Sequence, residues 1–429
     1  MLEISLYLLL GLAILIAIDV PIAVSICAVA LTGLFVSKGD IGLFDAALKM
    51  YDGATSFPLI AIPLFVLAGA LMNTSGISRR LINFVSALIG FVRGGLAMVN
   101  VGVSLFFAEI SGSAVADVAA IGSVLIPGMK QRKYKPTFAA AVTSASASLA
   151  IIIPPSIPMI LYGALSDTSI VQLFVAGVVP GLLGGFAMML LCYWFAVRYD
   201  LPREEAFSLG ALGKATREAA WALMLPVIIL GGIFGGIVTA TEGAGLAVVA
   251  ALVIGFLIYR ELDLRQTWDA LIDGITQTAV VMLLVATSAV LGLYLTQIEL
   301  PQNFARSMTG LTDNKILILA MLNVMLLVFG MFLHGAAAII LVVPIVLPLV
   351  RSVGIDPVHF GIILTLNLAI GQQTPPVASV LATACSVAKT DIWETTKVNI
   401  PFICVLFAIL MAVTYIPIIP LGLVEYFYR

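Results

Sequence analysis

The sequence predicts an all-α polytopic membrane protein built as an inverted repeat, with two re-entrant hairpins and two broken helices. Three observations predict it. Of 429 residues, 62% are hydrophobic and only 10% charged, against roughly 25% charged in a soluble domain. Apolar stretches long enough to span a bilayer follow one another along the whole chain. The second half also repeats the first, because LAMVNVGVSLFFAEISG (96 to 112) matches LAMLNVMLLVFGMFLHG (319 to 335) at seven of seventeen positions with an offset of 223.

Composition removes several function classes. A net charge of −2 from 21 basic and 23 acidic residues gives no basic surface of the kind nucleic acid requires. Cys27, Cys192, Cys385 and Cys404 lie in apolar runs without metal-ligand spacing and read as small packing residues. The start, MLEISLYLLLGLAILIAIDVPIAV, has no basic n-region and no small-residue cleavage site, so a first membrane segment is expected there, not a signal peptide. No HExxH, GxSxG or Gly-rich phosphate loop occurs, and an enzyme is not expected.

In chain order, the stretch from about 4 to 37 is interrupted at Asp19-Pro21 and counts as two crossings, followed by a span at 57 to 73. The apolar stretch 96 to 128 is broken by ISGSAVAD and reads as hairpin 1. A broken helix at 137 to 165 contains SLAIIIPPSIP, and a span at 171 to 197 closes repeat 1, assigned to 1–205. An amphipathic cytoplasmic linker is expected at 206–223, within the polar segment 199 to 220. Repeat 2, assigned to 224–429, has spans at 219 to 240, 242 to 259 and 276 to 297, hairpin 2 at 319–350 broken by LHGAAA, a broken helix at 358–385 containing AIGQQTPPVAS, and a last span at 399 to 420. The segments GISRRLINFVSALIGFVRGG and LPQNFARSMTGLTDNK, one before each hairpin, read as interfacial helices or as ordinary loops.

Beyond the hairpins the offset becomes 221, and every proline from 348 to 401 has a partner: Pro127/Pro348, Pro136/Pro357, Pro154/Pro375, Pro155/Pro376 and Pro180/Pro401. Asp19 and Glu242 share the offset of 223 at span interruptions, where an interfacial position is the plainer reading. About ten crossings, five per copy, make the count odd, so the second copy enters the membrane inverted. Fifteen of the 21 Lys and Arg fall on one side, including the run KQRKYK after hairpin 1, and that side is taken as cytoplasmic. Hairpin 1 then opens from the cytoplasm, and hairpin 2, followed only by Arg351, from the other face.

Non-helical backbone at membrane depth is expected only where protein buries it or it lines a watery cavity. Here the helices break at two hairpin tips and two Pro-Pro sites, and the repeat pairs the breaks two by two. Each proline removes an amide donor and displaces a carbonyl of the preceding turn, leaving uncommitted oxygens. Such oxygens with a few hydroxyls suit a hard monovalent cation, and half-helix N-termini suit an anion, which together describe an ion-coupled anion site. The first copy offers Ser111, Ser113, Ser144, Ser146 and Ser148, and the other copy Gly335, Gly371 and Thr374. The competing reading is that these small residues only allow close helix packing.

Few ionisable residues lie inside spans, where they are expensive. Asp117, about one turn into the second arm of hairpin 1, could face sodium, water or the hairpin's own amides, and Glu109 precedes the tip. His334, at the tip of hairpin 2, reads as a substrate hydrogen-bond donor, a proton-sensitive group or a satisfied structural imidazole. His359, near a span end, reads as interfacial.

At these residues the sequence resembles the large membrane subunit of tripartite ATP-independent periplasmic (TRAP) transporters, the family of the C4-dicarboxylate and sialic acid systems. The resemblance covers essentially the whole chain and is carried by SFPLIAIPLFVLAGALM (56 to 72), ISGSAVADVAAIGSVLIPGM (110 to 129), IIIPPSIPMILYG (151 to 163), VAGVVPG (175 to 181) and IDPVHFGIILTLNLAIGQQTPPVASVL (355 to 381). It implies sodium-coupled import of a small organic anion across the bacterial inner membrane by an elevator mechanism. It also implies two partners, a small four-helix membrane subunit and a periplasmic substrate-binding protein. The alternative is a self-sufficient sodium/anion symporter that needs no binding protein.

Two or more sodium ions are implied as coupling ions. By the same resemblance, one sodium site is expected from Ser111 and Ser113 with backbone oxygens around Ala150, Ile153 and Pro155. The other is expected from backbone around Gly330 and Gly335 with Gly371, Thr374 and Val377. Substrate contacts are expected from Ser111, Ser113, Ser146, Ser148, His334, Gln372 and Gln373. The sequence departs from the family pattern at Ala150, where Gly is frequent, and at His334, a position often acidic, which leaves the substrate class open.

Overall fold

The computed structural model describes residues 10–428 apart from 13, 16, 17, 19, 202 and 204–206, and only the backbone at 109–111. Asp19 and the side chains of Glu109 and Ser111 thus lie outside the described residues. The described elements are helical, with one isolated bridge between Arg93 and Arg203. Among the described residues, eight helices are long and apolar enough to cross a membrane.

The first group of helices forms a wall. It contains α1 (Ile22–Lys38), α2 (Asp40–Ala54) and α3 (Ala61–Thr74), the last preceded by a 3-10 turn at Phe57–Ile60. Across the amphipathic α4 (Ile77–Ile89), which buries Ile77, Leu81, Ile82 and Val85, the chain enters the second group. That group holds α5 (Gly95–Ser111) and α6 (Ala114–Gln131), which form hairpin 1, then α7 (Pro136–Ala147), α8 (Ile157–Ser166) and α9 (Ile170–Arg198). The wall resumes with α10 (Leu209–Phe234), α11 (Ala240–Val253) and α12 (Leu264–Gln297), and the amphipathic α13 (Leu300–Leu311) leads out of it. Hairpin 2, made of α14 (Lys315–Phe332) and α15 (Gly335–Ser352), then α16 (Pro357–Gly371), α17 (Ser379–Ala388), α18 (Ile392–Tyr415) and α19 (Ile418–Tyr428), complete the chain.

Three elements differ from the sequence expectation, each for a local reason. The segment expected as a linker at 206–223 continues into the next span: Ser208 accepts from the Ala211 amide and one helix runs Leu209–Phe234. Similarly, α12 starts well before its apolar stretch, because Asp263 and Gln266 form a capping box. At 1.5 Å per residue it is about 51 Å long, longer than the roughly 30 Å of hydrocarbon, so its polar first turns stand outside. No span was expected between 38 and 57, yet α2 packs there on α12 while exposing Ile41, Phe44 and Tyr51.

The second group is organised by exchange between the two halves. Hairpin 1's second arm, α6, packs on α17 and hairpin 2's second arm, α15, packs on α8. Lys130 at the end of α6 donates to the Ala388 carbonyl at the end of α17 (3.2 Å), and Arg351 at the end of α15 donates to the Ser166 carbonyl at the end of α8 (2.7 Å). Lys130 and Arg351 are themselves related by the 221 offset, and a cation at a helix C-terminus meets unsatisfied carbonyls and a favourable dipole. Each broken helix therefore begins beside its own hairpin's end and finishes beside the other hairpin's end, on the opposite face. That arrangement is an inverted repeat, visible in the contacts themselves. Phe138, Phe195 and Phe402 pack together where α7, α9 and α18 meet, with centroids 5.4 to 6.3 Å apart, Phe195 stacked on Phe402 and edge-on to Phe138.

Candidate functional site

Both hairpin tips rest on the breaks of the discontinuous helices, and glycines set how closely. Gly112 ends α5 in the left-handed region (φ +58°), and a Cβ there would lie 2.9 Å from the Pro155 carbonyl oxygen. Only a glycine lets the hairpin-1 tip turn on that contact without strain. In hairpin 2, Gly330 lies against Gly371: a Cβ on Gly371 would fall 2.4 Å from the Gly330 carbonyl carbon. The Val377 amide reaches the Met331 carbonyl (3.4 Å), joining the same arm to the far side of the second break.

The breaks leave carbonyl oxygens uncommitted, as the prolines required. Between the 3-10 turn Ser148–Ile151 and α8, the carbonyls of Ile153 and Pro155 accept no hydrogen bond from the described residues. Both Pro-Pro bonds, Pro154-Pro155 and Pro375-Pro376, are cis. In the second break the Thr374 hydroxyl donates to Ile370 (2.9 Å), which keeps its own lone pairs available. Gln373 ties the two breaks together. Its Oε1 accepts from Ser144 Oγ (2.6 Å) and Asn399 Nδ2 (2.9 Å), while its Nε2 donates to the Ser144 carbonyl (2.8 Å) and to Ser148 Oγ.

A cavity of about 490 Å³ lies where the second group meets the wall. Its hairpin side is built from the first turns of three helices: Ser113 to Ala116 on α6, Ile157 and Pro158 on α8, and His334 to Ala336 on α15, with Gln372 between them. Its wall side is Val66 on α3 and Thr276, Gln277, Val280 and Val281 on α12. A wider space of about 730 Å³ shares Val66, Ser113, Ala116, Ala119 and Gln277 with it and widens toward Arg79 and Glu261. Three helix N-termini facing one cavity give it a positive potential from backbone amides. Among the described residues, no lysine or arginine lines it.

The structure thus brings together Ser113, His334, Gly335 and Gln372 at the cavity, and Gly330, Gly371, Thr374 and Val377 at the second break. Ala150, Ile153 and Pro155 sit at the first break, where Pro155 meets the hairpin-1 tip and Ile153 packs on Gly181 of α9. Ser146, Ser148 and Gln373, expected at the substrate, are buried behind the breaks and do not line the cavity: Ser146 bonds Asn100 and Ser104, and Ser148 bonds Gln373. His359, expected at the interface, is buried with Nε2 2.8 Å from the Val413 carbonyl, because α18 covers it. Glu242 caps α11 through Thr239 at an exposed end, and Asp117 is wholly buried in the first turn of α6.

Over residues 9–419 the chain matches the family described as tripartite ATP-independent periplasmic transporter, DctM component. The chain belongs to this family. It is 42% identical over 410 residues to the isethionate TRAP transporter permease protein DctMQ of Oleidesulfovibrio alaskensis, covering 95% of this chain and 64% of that one. It is 39% identical to the C4-dicarboxylate TRAP transporter large permease protein DctM of Pseudomonas aeruginosa, covering 92% of each, and 38% identical to the sialic acid TRAP transporter large permease protein SiaM of Vibrio cholerae, covering 95% of each. In fold, it matches the crystal structure of the Alcanivorax borkumensis YdaH transporter, described as having an unusual topology. The TM-score is 0.67 at 14% identity, over 95% of this chain and 98% of that one.

This TRAP family permease is thus a polytopic protein of the bacterial inner membrane. Residues that sequence reasoning missed are Val66, Thr276 and Gln277 on the wall, and a buried asparagine network. Asn100 donates to Thr143 (2.6 Å), Asn323 to Thr414 (3.1 Å), and Asn367 to Asn323 (2.7 Å). The pairing of Asn100 with Asn323 in the repeat was the available signal, since each fastens a hairpin's first arm to its neighbours.

Proposed function

We propose that this chain is the large membrane subunit of a sodium-driven importer that takes a small organic anion from a periplasmic binding protein and works beside a small membrane subunit. The observation that carries the reading is the single cavity in which both hairpin tips and both helix breaks face the α3/α12 wall. Such a cavity, bounded by two bodies of helices, is what an elevator requires: the second group would slide along the wall, carrying the site from face to face. The wider space opens toward Arg79 and Glu261, beside the basic corner with Arg80, Arg260 and Arg265. By the bias of Lys and Arg that corner is cytoplasmic, and on this reading the cavity faces inward. The relatives' names, for isethionate, C4-dicarboxylate and sialic acid, are all of organic acids.

Sodium is assigned to the two breaks. At the first, the carbonyls of Ala150, Ile153 and Pro155 would join Ser111 and Ser113, and at the second, Gly330, Gly335, Gly371, Thr374 and Val377 would form the shell. Oxygen donors without a transition-metal cluster suit a hard cation, and among the described residues no group of three His, Cys, Asp or Glu forms a metal cluster. Domain boundaries at 1–205 and 224–429 belong to the same reading, with the α10 start as their junction.

Uptake into proteoliposomes containing this chain and its small subunit tests it. Uptake is expected only with an inward sodium gradient and the binding protein, and Thr374→Ala is expected to weaken sodium activation more than expression. Uptake without the binding protein would favour the self-sufficient symporter. Uptake indifferent to sodium would overturn the coupling.

A further inference from the structure

The cavity's polar groups are unevenly placed, and this asymmetry bears on what it holds. At the start of α15, His334 makes no side-chain cap, and the first backbone bond of the turn runs from Ala338 to the His334 carbonyl. The amides of Gly335, Ala336 and Ala337 precede that bond and have no intrahelical acceptor. Gln372 lies over the same turn. Its side chain is 4% exposed, and its Nε2 would be 2.9 Å from a Cβ placed on Gly335, so the glycine makes room for it. Ser379 Oγ donates to Gln372 Oε1 (3.4 Å), which leaves Nε2 as the amide atom nearest Gly335 on the cavity lining, and Nε2 makes no hydrogen bond among the described residues. The two adjacent glutamines therefore divide the work: Gln373 faces backward and fastens the breaks, while Gln372 presents a free donor beside an uncapped helix start.

We propose that Gln372 Nε2 and the Gly335–Ala337 amides hold the anionic head of the substrate, and that the site is built for a single-headed monoanion with a short uncharged body. The inference rests on the reading of this cavity as the substrate site. Every positive element of the lining lies on the hairpin side, in the three helix starts. The opposite side is Val66, Val280 and Val281 with the neutral Thr276 and Gln277. An anion with one charged end can turn it toward α15 and lay a hydroxyl or short carbon body on the wall. A dianion with charges at both ends would press its second carboxylate on valines without a cation, and burying an unpaired charge is costly. Donors here are neutral N–H groups, so the head is recognised by geometry and dipole without an ion pair.

The test is thermal stabilisation of the purified full chain in sodium. Probes are two monoanions, glycolate and 2-hydroxyethanesulfonate, and two dianions, succinate and malonate, at a pH where every carboxylate is ionised. Monoanions are expected to stabilise the protein at concentrations about tenfold or more below those of dianions. Gln372→Leu should raise the apparent Kd for monoanions about tenfold while leaving stabilisation by sodium alone unchanged, which separates lost recognition from a disturbed fold. If Gln372→Leu does not fold, Ser379→Ala decides, because it frees the Gln372 amide to turn and should weaken monoanions several-fold with sodium stabilisation kept. Dianions that stabilise as well as monoanions, or a folded variant that binds monoanions like the wild type, would overturn the inference while leaving the cavity as the site. If no anion of either kind stabilises the wild type in sodium, the reading of the cavity itself fails.

Discussion

Replacing Gly371 by alanine is expected to damage the proposed sodium coupling more than any other single methyl group in the second group of helices. The new Cβ would lie 2.4 Å from the Gly330 carbonyl carbon, 2.5 Å from its Cα and 2.7 Å from its oxygen. All three are backbone atoms, so no side chain can swing aside, and α14 must retreat by about 1 Å to restore ordinary contact. Overpacking of this kind costs about 1–3 kcal/mol, partly offset by the roughly 1 kcal/mol that alanine gains over glycine in a helix. The retreat matters more for the proposed sodium site than for the fold, since hard-cation ligands sit at about 2.3–2.6 Å and a shell split between Gly330 and Gly371, as proposed, would not absorb the change. The sodium concentration for half-maximal uptake should rise about tenfold or more, equivalent to about 1.4 kcal/mol. Gly330→Ala, whose Cβ meets its nearest atoms at 3.2 and 3.3 Å, should show a smaller rise, and Gly128→Ala, with nothing within 4 Å, none. Titration of sodium-dependent uptake in reconstituted vesicles orders the three. A Gly371→Ala protein with wild-type sodium dependence would refute the placement of the second ion between hairpin 2 and its break.

Asn323→Leu removes hydrogen bonds to Thr414 and Asn367 and should lower stability by about 1–2 kcal/mol. Asn100→Leu should act similarly through Thr143 and Ser146, and unchanged melting of both would show that the asparagines fasten nothing. Outside the membrane, Arg80 and then Arg79 hold the Glu261 carboxylate below its ordinary range, at 2.7 and 2.8 Å, with Arg80 stacked 3.7 Å over Tyr259. Because that folded-state pKa is lowered, the tether of α4 to the α11–α12 corner is complete above the ordinary carboxylate pKa and is lost as pH falls through the lowered value. The protection factors of residues 77–89, exchange taken relative to the intrinsic rate at each pH, should therefore fall in acid but not in mild base, and Glu261→Gln should reproduce the lowered protection at neutral pH. For orientation, Gln131→Cys should react with impermeant reagent only from the cytoplasm and Ser352→Cys only from the periplasm. Both positions are exposed at the ends of the inverted hairpins, and labelling of both from one side would contradict the inversion.

Much of the candidate site's architecture was legible because breaking a helix in hydrocarbon needs conspicuous residues. Pro154, Pro155, Pro375 and Pro376 mark the breaks, Gly112 and Gly335 mark the tips, and a backbone that must be satisfied or wetted implies a function at each. What remained hidden was direction. Gln372 and Gln373 are chemically identical neighbours, and at a helix end one residue of rotation sends one to the cavity and the other behind it. Ser146 and Ser148 carry the same hydroxyl as Ser113, yet face Asn100 and Gln373 because they lie before the first break, on turns packed on all sides.

Membrane residence, the two-fold repeat and the identities of the breaks follow from the sequence by itself, because hydropathy, proline spacing and chain offset are linear properties. Tertiary structure alone decided which half completes the other. Lys130 closing α17 and Arg351 closing α8 are contacts across 258 and 185 residues, and no local preference specifies them. The cavity is of the same kind, since its wall residues Val66 and Gln277 carry no special chemistry. They become part of a site only because packing of apolar helices, which is non-directional and fixed by shape, sets them opposite three helix starts.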